Sequence, residues 1–361
     1  MNRHTHAATW LAMTTLVTGL AHAHHSVIAN FDPVREVEIQ ATVVAFNYRN
    51  PHGSMVVDGI GYENGEALSD SVVRWEIETS AIKGLAARGI TADTFQAGDQ
   101  ILIRGTPHRN RNLQRANSSN FLAPDGSALD LTRNTRPDPV QGPDLDGAFR
   151  VEGRWRPPFQ RAGDQSSLPL NAAGNQAWLD YEQALSPANT CEPMSIPVVM
   201  NAPSYYVDIR FGDDRVVIFN EAYDVDRSVP LGDEFAPADP GGLWGSVRGR
   251  IEGDQLVVES KDYLPSAWGL GAATQINGGG ADVPSSEQKT VTERFSTSED
   301  GLELHYDYVL YDPVYMTREH SASIVLGRAA DDAPMVAYDC NLDSARQFSR
   351  APGESVLSTD D

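Results

Sequence analysis

The chain has 361 residues, with 28 basic against 50 acidic side chains and a formal charge of −22. So acidic a surface repels phosphate backbones and anionic lipid, which excludes nucleic acid as a partner and argues against a membrane-surface role. The length exceeds what one hydrophobic core usually serves, so two domains are expected.

Residues 1–23 read as an export signal. "MNRHTH" is a short polar start, and "AATWLAMTTLVTGLA" is an apolar run of leader rather than spanning length. Ala21-His22-Ala23 is a small-x-small cleavage site. Cleavage after Ala23 yields a periplasmic or secreted protein that begins at His24, with His25 second; cleavage after Ala21 is the alternative. No later segment approaches the roughly twenty apolar residues of a spanning helix. In an oxidising compartment Cys191 and Cys340, the only cysteines, read as one disulfide, with two unpaired buried thiols as the alternative.

Residues 24–133 read as an OB-like β domain. "VEIQATVVAF" (Val37 to Phe46) is a first strand, and a second begins at Ser54 after the turn-like "NYRNPHG". "YENGEALSD" is a polar loop and "SVVRWEIET" a third strand. "SAIKGLAARG" is a short helix, with Thr79 or Ser80 as N-cap and Gly89 as its stop. "AGDQILIRGTP" supplies a fourth strand and Ala116 to Ala123 a fifth, with "PDGSALDL" as a hairpin extension. Three strands, a helix and two strands is the order of an OB-type barrel.

Residues 134–194 are crowded with Pro, Gly, Asp and Arg and read as an extended linker, with one short helix in "NAAGNQAWLDYEQAL". From 195 to 350, strands recur in "SYYVDIRFG", "DRVVIFNEAY", "GSVRGRIEGDQLVVESKDY", "QKTVTERFSTS", "GLELHYDYVLYD" and "EHSASIVLG". "EGDQ" and "SEDG" look like hairpin turns. The fold class is therefore mainly β: an OB-like small barrel followed by an antiparallel, lipocalin-like barrel meander. Residues 351–361 form a polar tail.

Several pieces resemble known families. "HHSVIANFDPVREVEIQATVVAFNYRNPHGSMVVD", "RWEIETSAIKGLAARGI" and "FQAGDQILIRG" resemble DUF6152, an exported bacterial family of unknown function. In the second half "WGSVRGRIEGDQLVVES", Glu293-Arg294-Phe295, "DPVYMT" and "YDC" resemble a second uncharacterised exported β-rich family. Neither resemblance implies a reaction.

Two sets of residues carry candidate chemistry. A chain beginning at His24 offers an α-amine and an imidazole from one residue, and His52 or His25 adds a second imidazole. Such a nitrogen set suits tetragonal Cu(II), so copper is the one expected cofactor. The alternative is a solvated terminus, with His52 bonded to backbone in a tight turn.

The second set is Trp244, Trp268, His305, Tyr308, Glu221, Arg227 and His320, which can converge on a small-molecule pocket in the second barrel or serve as core aromatics and surface ladders. In "LHYDYVLYD" a period of two places His305, Asp307, Val309 and Tyr311 on one face and Tyr306, Tyr308, Leu310 and Asp312 on the other. "GGG" at Gly278 to Gly280 lies in a polar loop and is no phosphate cradle, "WGSVRG" lacks the glycine spacing of a nucleophile elbow, and no H-E-x-x-H occurs.

These features point to a non-enzymatic exported binding or accessory protein that holds a small apolar or aromatic ligand, with a candidate copper site at its mature N-terminus. The alternatives are a copper-dependent oxidative enzyme and an assembly factor that meets a protein partner through its β surface.

Overall fold

The structure is a computed structural model and describes residues 31–129, 131, 146–156, 168–180, 190–202, 205–238, 242–273 and 281–346. The expected leader, with His24 and His25, the Gly278 to Gly280 run and the polar tail lie outside these residues.

The first domain is a closed five-stranded barrel. Its strands are β1 (Val37–Asn47), β2 (Ser54–Glu63), β4 (Val73–Glu78), β5 (Gln100–Pro107) and β6 (Arg115–Leu122), with the two-residue β3 (Glu66–Ala67) appended to β2. The order around the barrel is β1-β5-β6-β4-β2, and β1 closes it by pairing β2 as well. β1 pairs β5 antiparallel through Ile39 and Ile103, whereas β4 and β6 run parallel with Ile77 beside Ala116. With the helix α1 (Ile82–Ala86) between β4 and β5, this is the OB arrangement that the strand order predicts.

Alternation along the strands points Val37, Ile39, Ile77, Ile101 and Ile103 into one core. Gly61 on β2 lets the Trp75 indole lie against the backbone, because a Cβ there would sit 2.4 Å from the ring.

Two local expectations change. The predicted loop after Tyr62 is a tight hairpin in which Asn64 (φ 53°) and Gly65 (φ 82°) join β2 to β3, the Asn-Gly signature of a type I′ turn. The cap of α1 is Ala81, without a side-chain bond. Ser80 and Ser119 bond each other instead, with Ser119 Oγ accepting from Ser80 N at 3.0 Å. Gly89 (φ 80°) does end the helical segment.

The second domain is a nine-stranded antiparallel sheet curled almost into a barrel. Its strands are β7 (Gly153–Arg156), β8 (Val207–Phe211), β9 (Arg215–Asn220), β10 (Val225–Pro230), β11 (Ser246–Glu252), β12 (Gln255–Lys261), β15 (Thr290–Thr297), β16 (Glu303–Tyr311) and β17 (His320–Arg328). The order is β10-β9-β8-β7-β17-β16-β15-β12-β11, and the two edges approach where Gly232 N donates to Gly249 O at 2.9 Å. A separate hairpin joins β13 (Ser266–Ala273) to β14 (Ala281–Ser285).

β7 falls inside the expected linker: its four residues bridge β8 and β17, and Trp155 is fully buried. The predicted helix is α2 (Ala172–Leu179), where the Asn171 side chain caps by accepting from Gly174 N. Cys191 and Cys340 form the expected disulfide, with Cα atoms 5.9 Å apart. Among the described residues no helix is long and apolar enough to cross a membrane.

Candidate functional site: the cleft between the barrels

The two barrels are locked together by the "NPH" turn. Asn50, buried and joined to Pro51 by a cis peptide, donates from Nδ2 to Tyr338 O at 2.7 Å and accepts at Oδ1 from the Tyr205 hydroxyl at 2.9 Å. Its own carbonyl accepts from Asn341 N at 2.9 Å. Ser344, on α3 (Leu342–Arg346), donates from Oγ to the His52 carbonyl. Beside the turn, Lys83 of α1 donates to Glu221 Oε1 at 2.7 Å. The segment after β17, held by the Cys191–Cys340 disulfide, therefore supplies much of the clasp.

Next to the clasp lies a cavity of about 840 Å³, within the range of small-molecule pockets. The second domain contributes Tyr205, Tyr223, Trp268 and Tyr338 to one wall, with Met194 and Ala222 between them. Their rings touch: Tyr223 lies 4.5 Å from Tyr338 and 6.4 Å from Trp268 between centroids, and Tyr205 lies 5.4 Å from Tyr338. The OB domain contributes a polar wall that includes His52, Glu78, Asn117 and Ser118.

Glu78 is the unusual member. Alternation on β4 turns Trp75 and Ile77 inward and sends Glu76 and Glu78 to the outer face of the barrel. Glu76 stays partly solvated and accepts from Arg115 Nε at 2.6 Å. Glu78 lies beside the Asn50–Gly53 turn, with its side chain only 3 % exposed and His52 Nδ1 3.9 Å from its Oε1. Burial pushes its carboxyl up to about 8, against the opposing effect of a hydrogen bond from Asn117. Burial likewise lowers His52 to about 4, opposed by a hydrogen bond to the Thr79 backbone. Desolvation thus works against a charge on either group.

The residues expected to converge inside the second barrel do so only in part. Arg227 and Glu293 face each other at its centre, both fully buried. Arg227 Nη1 donates to Glu293 Oε1 at 2.9 Å, and the Tyr306 hydroxyl donates to the same oxygen at 3.0 Å. Glu221 is elsewhere: besides Lys83, it accepts from Tyr206 N at 2.8 Å and Val336 N at 2.7 Å, all at the clasp. Trp244 packs in the barrel core, and His320 is buried 6.2 Å from the Tyr308 ring.

His305 points outward and lies 3.8 Å from Glu303, because its neighbours Leu304 and Tyr306 take the inward positions. Trp268 alone of this set lines the cleft. Of the expected metal set only His52 is described, and no group of three or more His, Cys, Asp or Glu residues among the described residues is placed to hold an ion. Sequence reasoning did not find Glu78, Asn50, Tyr205, Tyr223 or Tyr338. The "NPH" turn was the visible signal for that neighbourhood.

Fold and site together define a two-barrel protein with a small-molecule-sized cleft between an OB-type module and a nine-stranded antiparallel module. Residues 13–116 match the model of DUF6152, a family of unknown function, which bears out the resemblance of the N-terminal block. No curated protein matches the chain.

Among solved structures, the chain is similar to the REP1-NXSQ fatty acid transporter, at 11% identity over 50% of this chain and 96% of that one, with a TM-score of 0.26. It is also similar to a DUF3598 protein of unknown function from Nostoc punctiforme PCC 73102, at 10% identity over 81% of this chain and 95% of that one, with a TM-score of 0.25. Likenesses this weak carry no argument about function.

Proposed function

We propose that the protein is an exported, non-enzymatic binding protein that holds a small apolar or aromatic ligand in the cleft between its barrels. The observation that supports this reading is the cavity of about 840 Å³ with aromatic rings on one wall and polar groups, Glu78 and Ser118 buried among them, on the other. Apolar walls with a few convergent polar groups are the usual composition of ligand sites. The interior of the second barrel is filled by side chains such as Trp155, Phe295 and Tyr306, so the cleft is the better seat.

Native mass spectrometry of protein purified from its own host tests the reading. A co-purifying small molecule is expected, and Trp268→Ala or Tyr338→Ala is expected to lose it. Ligand-free protein whose fluorescence does not respond to aromatic probes overturns it in favour of the β-surface assembly role.

Copper at the mature N-terminus is the second reading, and one observation favours it: Pro33, nine residues after His24, lines the same cavity as His52. A tether of nine residues reaches at most about 30 Å when extended. Titration of protein processed at His24 with Cu(II), followed by EPR, should give a nitrogen-ligated signal that changes in His52→Ala. A signal indifferent to that substitution removes His52 from the site, and with it the oxidative-enzyme alternative.

A further inference from the structure

Behind the apolar wall of the cleft lies a fully buried lysine. Lys289 stands between β14 and β15, with none of its side chain exposed. Its Nζ donates to Ser195 Oγ at 2.8 Å, to Ile196 O at 3.1 Å and to Gly269 O at 3.1 Å, and it lies 3.9 Å from the centre of the Tyr263 ring. An ammonium has three protons to donate, so all are spent, and the ring face adds a favourable contact. Burial lowers the group to about 7, against the opposing effect of Asp312 and Glu293, while Arg227 lowers it further.

The acceptors come from two stretches of chain, and each stretch carries a residue of the cleft wall. Ser195 follows Met194 and Gly269 follows Trp268, both of which line the cavity. Residues 192–195 lie outside any helix or strand. On β13 the pairing with β14 passes from Ser266–Ser285 directly to Gly271–Val283, which leaves Trp268 and Gly269 in a bulge. Sheet pairing therefore fixes neither wall residue, and a binding surface on irregular backbone keeps its shape only if a second layer supports it. Ser195 and Lys289 have the composition of a nucleophile and its base, but both are buried, which closes the pair to a substrate.

We infer, building on the cleft-binding reading, that Lys289 is a positioning residue: its ammonium joins the segment after Met194 to the β13 bulge and so fixes Met194 and Trp268 in the wall that meets the ligand. A buried cation is costly unless its bonds are met. Here those bonds are met by the two stretches that need to be held.

Calorimetry of naphthalenemethanol against the full chain tests this at about pH 6, where the ammonium keeps its proton. Lys289→Met is expected to weaken the probe about tenfold, and Ser195→Ala, which removes one acceptor and leaves the cation in place, about threefold. The near-ultraviolet circular dichroism signal that Trp268→Phe identifies as the indole's own should shift in both variants. Leu304→Ala controls for a general loss of stability. Leu304 is equally buried but pairs with Thr297, at the opposite end of the β15–β16 ladder from Thr290 and Tyr311. It should leave affinity and signal unchanged while lowering the melting temperature.

Trp268-dependent binding that keeps its wild-type strength in Lys289→Met and Ser195→Ala, or that falls equally in Leu304→Ala, overturns the positioning role and leaves the cleft reading standing. Where Lys289→Met does not fold, Ser195→Ala decides alone: an unmoved Trp268 signal with unchanged affinity overturns the role. A probe that does not bind, or that binds regardless of Trp268→Ala and Tyr338→Ala, overturns the cleft reading and the role that rests on it.

Discussion

Glu78 and His52 lie 3.9 Å apart, and each makes stability depend on pH in its own direction. Glu78 keeps its proton in the folded state up to about 8, whereas its ordinary value is 4.5. Between those values the unfolded chain has released a proton that the folded chain retains, so stability falls as pH rises through the window. His52 is lowered from 6.5 to about 4, so the unfolded chain takes up a proton first and stability falls as pH drops through that range.

Relative to wild type, Glu78→Gln should therefore gain melting temperature from about pH 5 to pH 8, reaching a few degrees. A constant difference across that range sinks the assignment. Glu78 itself was not legible in the sequence. "RWEIE" reads as a half-buried strand with its glutamates on the solvated side, and only the turn at Asn50–Gly53 turns that position into an interior one.

β10, by contrast, shows why an entire strand escaped notice. Its inward positions are Val225, Arg227 and Val229, so the apolar alternation of "VDRSVP" breaks at an arginine. The arginine is acceptable there because β15 brings Glu293 opposite it and β16 brings Tyr306, forming a fully buried network. Removing one member leaves the other charge stranded.

Arg227→Met should cost about 3–5 kcal/mol in urea unfolding, while Arg227→Met with Glu293→Leu should recover most of that loss. If the double variant is no better than the single, the charges are not the source of the cost. β7 was hidden for a different reason. Four residues flanked by proline-rich sequence carry too little periodicity to register, although Trp155 anchors the strand in the core. Strands with clean alternation, β1 and β17 among them, and strands with strong apolar runs, such as β5 and β12, were readable.

At the scale of the whole molecule, the Cys191–Cys340 disulfide, with a sequence separation of 149, constrains the segment that clasps the OB barrel. In the chain-entropy model a loop of that length is worth about 5 kcal/mol. Cys191→Ser with Cys340→Ser should lower the denaturant midpoint accordingly, and limited proteolysis should cut first after β17, where Tyr338, Asn341 and Ser344 grip the turn. Unchanged stability on reduction counts against the clasp.

The sequence by itself determined the mainly β class, the OB strand order and the pairing of the two cysteines. These properties rest on local alternation, composition and count, which a linear reading can register. The cleft was decided only by tertiary structure. Its aromatic wall is drawn from residues 205, 223, 268 and 338 and its polar wall from residues 52, 78 and 117, positions with no shared spacing. Nothing local distinguishes a tyrosine that fills a core from one that faces a cavity. The docking of one barrel on the other makes that distinction.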